Sequence, residues 1–271
     1  MHRSCDPQRG ATAQSGIVLT WRNGQNERWA DVIIAGPALT VLPTVTDTDG
    51  SCMPLEQFPD EPHFNLREER LNTLTHGLGA VLGVALTVMM INVAAAGGDP
   101  WRIVSVTIFG ASLITLYGAS ALYHGSRNPA RRVHFKTLDH CAIFLLIAGT
   151  YTPFVLVNLR GPVGWTLFAV IWTLAVVGIA LKLRFGHRYK ILRVAVYLGM
   201  GWLIVLAAAE LKLKVNAEGL RYIVYGGLTY TVGVVFYLAN RLPYNHAIWH
   251  LFTLGGSLFH ALAVWVAVLP A

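Results

Sequence analysis

The chain has 271 residues, 54% of them hydrophobic and only 13% charged, with a mean hydropathy of +0.50. That composition excludes an ordinary soluble globular domain. The net charge of +7 is uneven, with 6 Lys/Arg against 10 Asp/Glu in residues 1–70 and 15 against 4 in residues 71–271; the later basic residues fall mostly between apolar runs, which reads as topology determinants and not as a nucleic-acid surface.

Residues 1–65 are rich in Asp, Thr, Gln, Gly and Pro, with one apolar patch from Val32 to Val45 that Pro37 and Pro43 interrupt. The patch is shorter than the roughly 20 residues a membrane helix needs, and the basic-then-apolar layout of a secretory signal is missing. The stretch is expected to be a largely disordered tail, or spurious, with Met53 as the true initiator. Cys5 and Cys52 lie here and Cys141 in an apolar run, so no disulfide framework is implied.

From about Arg70 the chain is a succession of apolar runs of spanning length. They cover about Leu71 to Ala96, Trp101 to Tyr123, Thr137 to Val157 with a kink at Pro153, Val163 to Leu183, Ile191 to Ala209, Leu220 to Ala239, and His246 to Leu269. Gly97-Gly98-Asp99-Pro100 and Gly161-Pro162 mark turns between them. Only helices or closed barrels satisfy their backbones in lipid, and runs of this length without alternation are helices. The expected fold is all-α: a polytopic membrane protein with a seven-transmembrane-helix bundle over residues 66–271.

Lys and Arg concentrate at one end of this bundle. Arg127, Arg131, Arg132 and Lys136 fall between helices 2 and 3, and Lys182, Arg184, Arg188, Lys190 and Arg193 between helices 4 and 5. The positive-inside rule therefore predicts an inner-membrane protein with a cytoplasmic N-terminus and an external C-terminus.

The seventh run opens with Tyr244-Asn245-His246-Ala247-Ile248-Trp249-His250. Two histidines four apart share one helix face and can reach one metal ion; alternatively they sit at the lipid–water boundary and bond headgroups or loop carbonyls. Ser120 and His124 form a second such pair at the end of helix 2, and Asp139 opens helix 3, where it either caps the helix or serves the site. By the topology above, His124, Asp139, His246 and His250 share one membrane level. Three imidazoles and an open position describe a catalytic zinc site, with Asp139 placed to orient or deprotonate the water and Ser120 to bond that water or a substrate carbonyl. Glu69, Asn72 and His76, spaced i, i+3, i+7, lie on one face of helix 1 and can hydrogen-bond the metal ligands, although Glu69 also suits a helix N-terminus. His260 points into the bundle about 15 Å deeper than His250, too far to share the ion. His134, His140 and His187 read as loop or interface residues.

Glu69-x-x-Asn72-x-x-Thr75-His76, Ser120-x-x-x-His124, Asp139 followed by Ile147-Ala148-Gly149-Thr150-Tyr151-Thr152-Pro153, and His246-x-x-x-His250 occur in that order. Together they resemble the bacterial hemolysin III proteins, the prokaryotic branch of the progestin and adipoQ receptor family, over about residues 66–271. The resemblance implies a seven-helix bundle with its N-terminus inside, and zinc held at His124, His246 and His250 with Asp139 near the metal-bound water. The wider superfamily, with alkaline ceramidases and adiponectin receptors, is associated with hydrolysis of lipid amides such as ceramide, whereas the name of the bacterial branch records a cytolytic effect.

The expected function is therefore zinc-dependent hydrolysis of a lipid amide or ester, with a membrane lipid as substrate or ligand and no nucleic-acid partner. A pore-forming cytolysin is the alternative, although no ring of like charges lines a pathway. A membrane sensor is a third reading, with no signalling domain visible to receive its output.

Overall fold

The computed structural model describes residues 17–22, 29–34, 42–46, 52–54, 65–186, 189–239 and 241–270, and the chain divides into two units, residues 1–64 and 65–271. The first unit contains β1 (Ile17–Arg22), β2 (Trp29–Ile34), β3 (Leu42–Thr46) and β4 (Cys52–Pro54). They pair antiparallel in the order β1-β2-β3-β4, with Val18 opposite Ile33 and Val32 opposite Pro43. Their short runs of Val, Ile, Thr and Trp favour extended, cross-paired backbone. These residues are strand where composition predicts an unstructured tail; the remainder of that tail lies outside the described residues.

Among the described residues of the second unit, every regular element is a helix. Helix α1 (Leu66–Ala96) starts at Asn65, whose side chain accepts from the Arg67 amide, and ends at Gly97 and the left-handed Gly98. Asp99 and Asn128 cap α2 (Pro100–Gly125) and α3 (Pro129–Pro153) in the same way, each followed by a proline at the first helical position. The cap at Asn128 starts α3 eight residues before the apolar run expected from Thr137, so Arg131, Arg132 and Lys136 lie on the helix and not in a loop. Pro153 ends regular α-helix, and a π-helical turn (Phe154–Asn158) follows at the expected kink.

Helix α4 (Pro162–Phe185) leads to a fifth rod made of α5 (Lys190–Trp202), a 3-10 stretch (Leu203–Ala207) and α6 (Ala208–Lys214). The Tyr151 hydroxyl bonds the backbone at this break. Its one proton is shared between the carbonyls of Met200 (2.7 Å) and Gly201 (2.9 Å), and its oxygen accepts from the amide of Ile204 (2.8 Å), replacing part of the helical ladder. Asn216 caps α7 (Ala217–Leu238), and α8 (Asn245–Ala267) completes the chain.

Six of these seven rods are long and apolar enough to cross a membrane. α7, diluted by four tyrosines and four glycines, is not among them, so seven expected spans become six by length and hydropathy. Large apolar side chains face outward, with Leu74 68% and Leu206 81% exposed, as lipid contact requires. The interior is filled by Met90, Phe109, Leu113, Phe154, Ile171 and Val264. Helix α1 packs on α2, α2 on α3 and α7 on α8, and a contact between α1 and α8 brings the first helix beside the last. Gly110 lets α2 approach α1, because a Cβ there would overlap the Thr87 side chain. The arrangement is a polytopic helical membrane bundle.

Candidate metal centre

The contact of α1 and α8 is reinforced where the site lies. Tyr244 precedes α8 in a left-handed conformation without a side-chain cap, and Glu68 of α1 accepts from the His246 amide at 3.3 Å instead. His246 and His250, one turn apart on α8, then face His124 at the end of α2. Their ring centroids stand 4.7–5.0 Å from one another. One nitrogen from each ring lies within 4.8 Å of the others, so the three can hold a metal ion.

The neighbours of the three rings fix which nitrogens are available. Glu69 Oε2 accepts from His124 Nδ1 at 3.0 Å and pairs with Arg132 Nη2 at 2.9 Å. The guanidinium also lies 4.6 Å over the Tyr123 ring and reaches the Tyr123 carbonyl. A carboxylate at Nδ1 places the proton there and leaves His124 Nε2, which is buried and without a hydrogen-bond partner, as a free lone pair. Asn72 also stands 3.4 Å from that Nδ1. On the other side Thr75 Oγ1 donates to the Leu71 carbonyl, and its lone pair faces His250 Nδ1 at 3.4 Å. Carboxylate or hydroxyl behind imidazole is the usual way ligand histidines are oriented.

His246 and His250 border a cavity of about 170 Å³ that Ser120, Asp139, His76 and His140 also line. Its remaining wall is mostly apolar, including Ile143, Leu146, Val194, Ile223 and Val234, and it extends past Thr253 to His260. Ser120 and Asp139 are buried and face each other; the serine hydroxyl lies beside the carboxylate but outside hydrogen-bond geometry.

These positions bring together His124, His246, His250, Asp139 and Ser120, with Glu69 and Asn72 against His124. Two expectations change. Asp139 lies ten residues inside α3 and does not open it, so it caps nothing. His140 is buried and lines the cavity, whereas its place beside a presumed helix end reads as an interface position. His134 is exposed on α3. His187 lies outside the described residues, and His260 borders the cavity outside the ligand group. His76, expected to hydrogen-bond a ligand, instead stacks on His250 with ring centroids 3.5 Å apart and an interplanar angle of 7°. Sequence reasoning missed Arg132 and Thr75 as supports; the clue for Thr75 was its i+3 spacing from Asn72.

Known proteins are similar in sequence to this chain over most of its length. Hemolysin-3 of Bacillus cereus is 45% identical over 205 residues, which is 76% of this chain and 94% of that protein. The Hemolysin-3 homolog of Bacillus subtilis (strain 168) is 43% identical over 72% of this chain and 91% of its own length. The human monocyte to macrophage differentiation factor is 29% identical over 73% of this chain and 83% of its own. The family model described as Haemolysin-III related matches residues 64–261, which include every residue of the metal centre. The chain is a multi-pass integral membrane protein belonging to the haemolysin-III related family.

Proposed function

We propose that the chain is a zinc-dependent hydrolase of membrane lipid amides or esters. The observation that carries this reading is the buried His124–His246–His250 group, beside Asp139 and Ser120, at the polar end of an apolar-walled cavity. His124, His246 and His250 would hold the ion through imidazole nitrogens alone, the donor set of catalytic and not structural zinc sites. When bound, zinc would supply a Lewis acid and lower the pKa of a coordinated water to about 7.

The remaining work falls to the chain's own side chains. Glu69 and Thr75 keep the Nδ1 protons of His124 and His250 turned away from the ion. The Asp139 carboxylate takes the proton of the attacking water on one oxygen and returns it to the departing amine or alkoxide. Ser120 Oγ–H donates to the carbonyl oxygen of the scissile bond. The apolar wall takes the hydrocarbon chain and excludes water from the reacting end. Arg131, Arg132, Lys136 and Arg193 support a cytoplasmic position for this end of the bundle; with α7 crossing the membrane as the seventh rod, the N-terminus is inside and the C-terminus outside.

Elemental analysis of purified full-length protein should find one zinc per chain, falling to near zero in His250→Ala. Mass spectrometry should find free fatty acid released from lipid amides or esters by the wild type alone. Metal-free wild type, or equal release by the variant, refutes the hydrolase. Equal dye leakage from liposomes carrying either protein, without product, identifies a pore instead.

A further inference from the structure

His76 is 3% exposed and fixed on two sides, stacked on His250 and edge-on to Tyr117 with centroids 5.0 Å apart. Tyr117 is itself anchored, its hydroxyl donating to Ser257 Oγ at 2.6 Å. Yet both ring nitrogens of His76 are buried without a hydrogen-bond partner; the His250 main chain comes near the ring but outside hydrogen-bond geometry. A buried polar side chain so placed is expected to be satisfied by something. His76 does not belong to the metal-binding group, so the metal does not satisfy it. It does line the cavity, one ring thickness from a metal ligand.

A neutral imidazole offers one N–H donor, and here that donor is held rigidly beside the place where the reacting group must lie. We infer that His76 forms an oxygen-binding subsite of the cavity. It donates to the second oxygen of an acyl carboxylate, and equally to the oxygen that becomes negative when an amide or ester carbonyl is attacked. This rests on the metal reading above and assigns His76 to the substrate and not to the support of a ligand. Ser120 Oγ, also buried and unpartnered, completes the polar end of the cavity.

The test uses full-length protein loaded with Co(II), whose absorption reports the coordination of the ion, and dodecanoate as the probe. His76→Phe keeps an aromatic ring on His250 but removes the donor; His76→Gln removes the ring but keeps a donor. Wild type and His76→Phe should show the same Co(II) spectrum, while dodecanoate binds His76→Phe at least tenfold more weakly. His76→Gln should recover part of that loss. Dodecanol, with one oxygen, should bind wild type and His76→Phe alike. Equal dodecanoate affinity in wild type and His76→Phe overturns the subsite. Failure of His76→Phe alone to take Co(II) also overturns it, making His76 a support for His250. Failure of the wild type to take Co(II) refutes the metal centre itself, and the subsite with it.

Discussion

Glu69 Oε2 lies 3.0 Å from His124 Nδ1 and 2.9 Å from Arg132 Nη2, so one carboxylate oxygen links a helix α3 cation to a helix α2 metal-ligand candidate. The carboxylate balances the Arg132 guanidinium and fixes the His124 tautomer. Glu69→Gln keeps the shape but removes the carboxylate charge that faces His124 Nδ1 and Arg132 Nη2. Metal affinity, measured by competition with a chelator, should fall about 10- to 100-fold while the protein still folds. Unchanged affinity would show that Glu69 only complements the start of α1.

Asp139→Asn separates binding from chemistry. The residue borders the cavity but is outside the three-histidine group, so metal content should stay at the wild-type level. Lipid hydrolysis, followed by mass spectrometry of released fatty acid, should fall about 100-fold or more through loss of the proton acceptor. Ser120→Ala should cost less, since a second donor remains at the same end of the cavity. Metal loss in Asp139→Asn would make the aspartate a ligand.

Gly164 and Gly77 make a matched pair for packing. A Cβ at Gly164 would run into the carbonyls of Val155 in the π-helical turn and of Leu159 just after it, which cannot move aside as a flexible side chain could. Gly164→Ala should destabilise by about 1–3 kcal/mol. Nothing lies within 4 Å of a Cβ at Gly77, so Gly77→Ala should be neutral or stabilise by up to about 1 kcal/mol. Unfolding in detergent, with the two variants side by side, checks the difference.

Tyr151→Phe removes the hydroxyl that holds the 3-10 break in the fifth rod, leaving the Ile204 amide without its partner. A loss of about 1–3 kcal/mol is expected. Amide hydrogen exchange over residues 200–207 should quicken in the variant, with α1 and α8 unchanged. If exchange is unaltered there, the break belongs to α5 and not to Tyr151.

Local signals in the chain determined the membrane bundle and most of its boundaries. Apolar runs, the caps Asn65, Asp99, Asn128 and Asn216, and the i, i+4 histidine pair are each set by interactions within a turn or two, where residue type and spacing suffice. The same locality made Val163 to Leu183 legible as α4 within two residues at either end. Asp139 was misplaced relative to its helix because the start of α3 was read from hydropathy and not from the Asn128-Pro129 cap. Only the tertiary structure decided what the candidate residues do for one another. Glu69 and His124 are 55 positions apart, and Thr75 and His250 are 175 apart. Their contacts depend on how closely α1, α2 and α8 approach, which packing of small side chains sets and composition does not encode. That approach divided the α1 stripe by role: Glu69 and Asn72 turn to His124, and His76 stacks on His250 with its nitrogens left for a ligand.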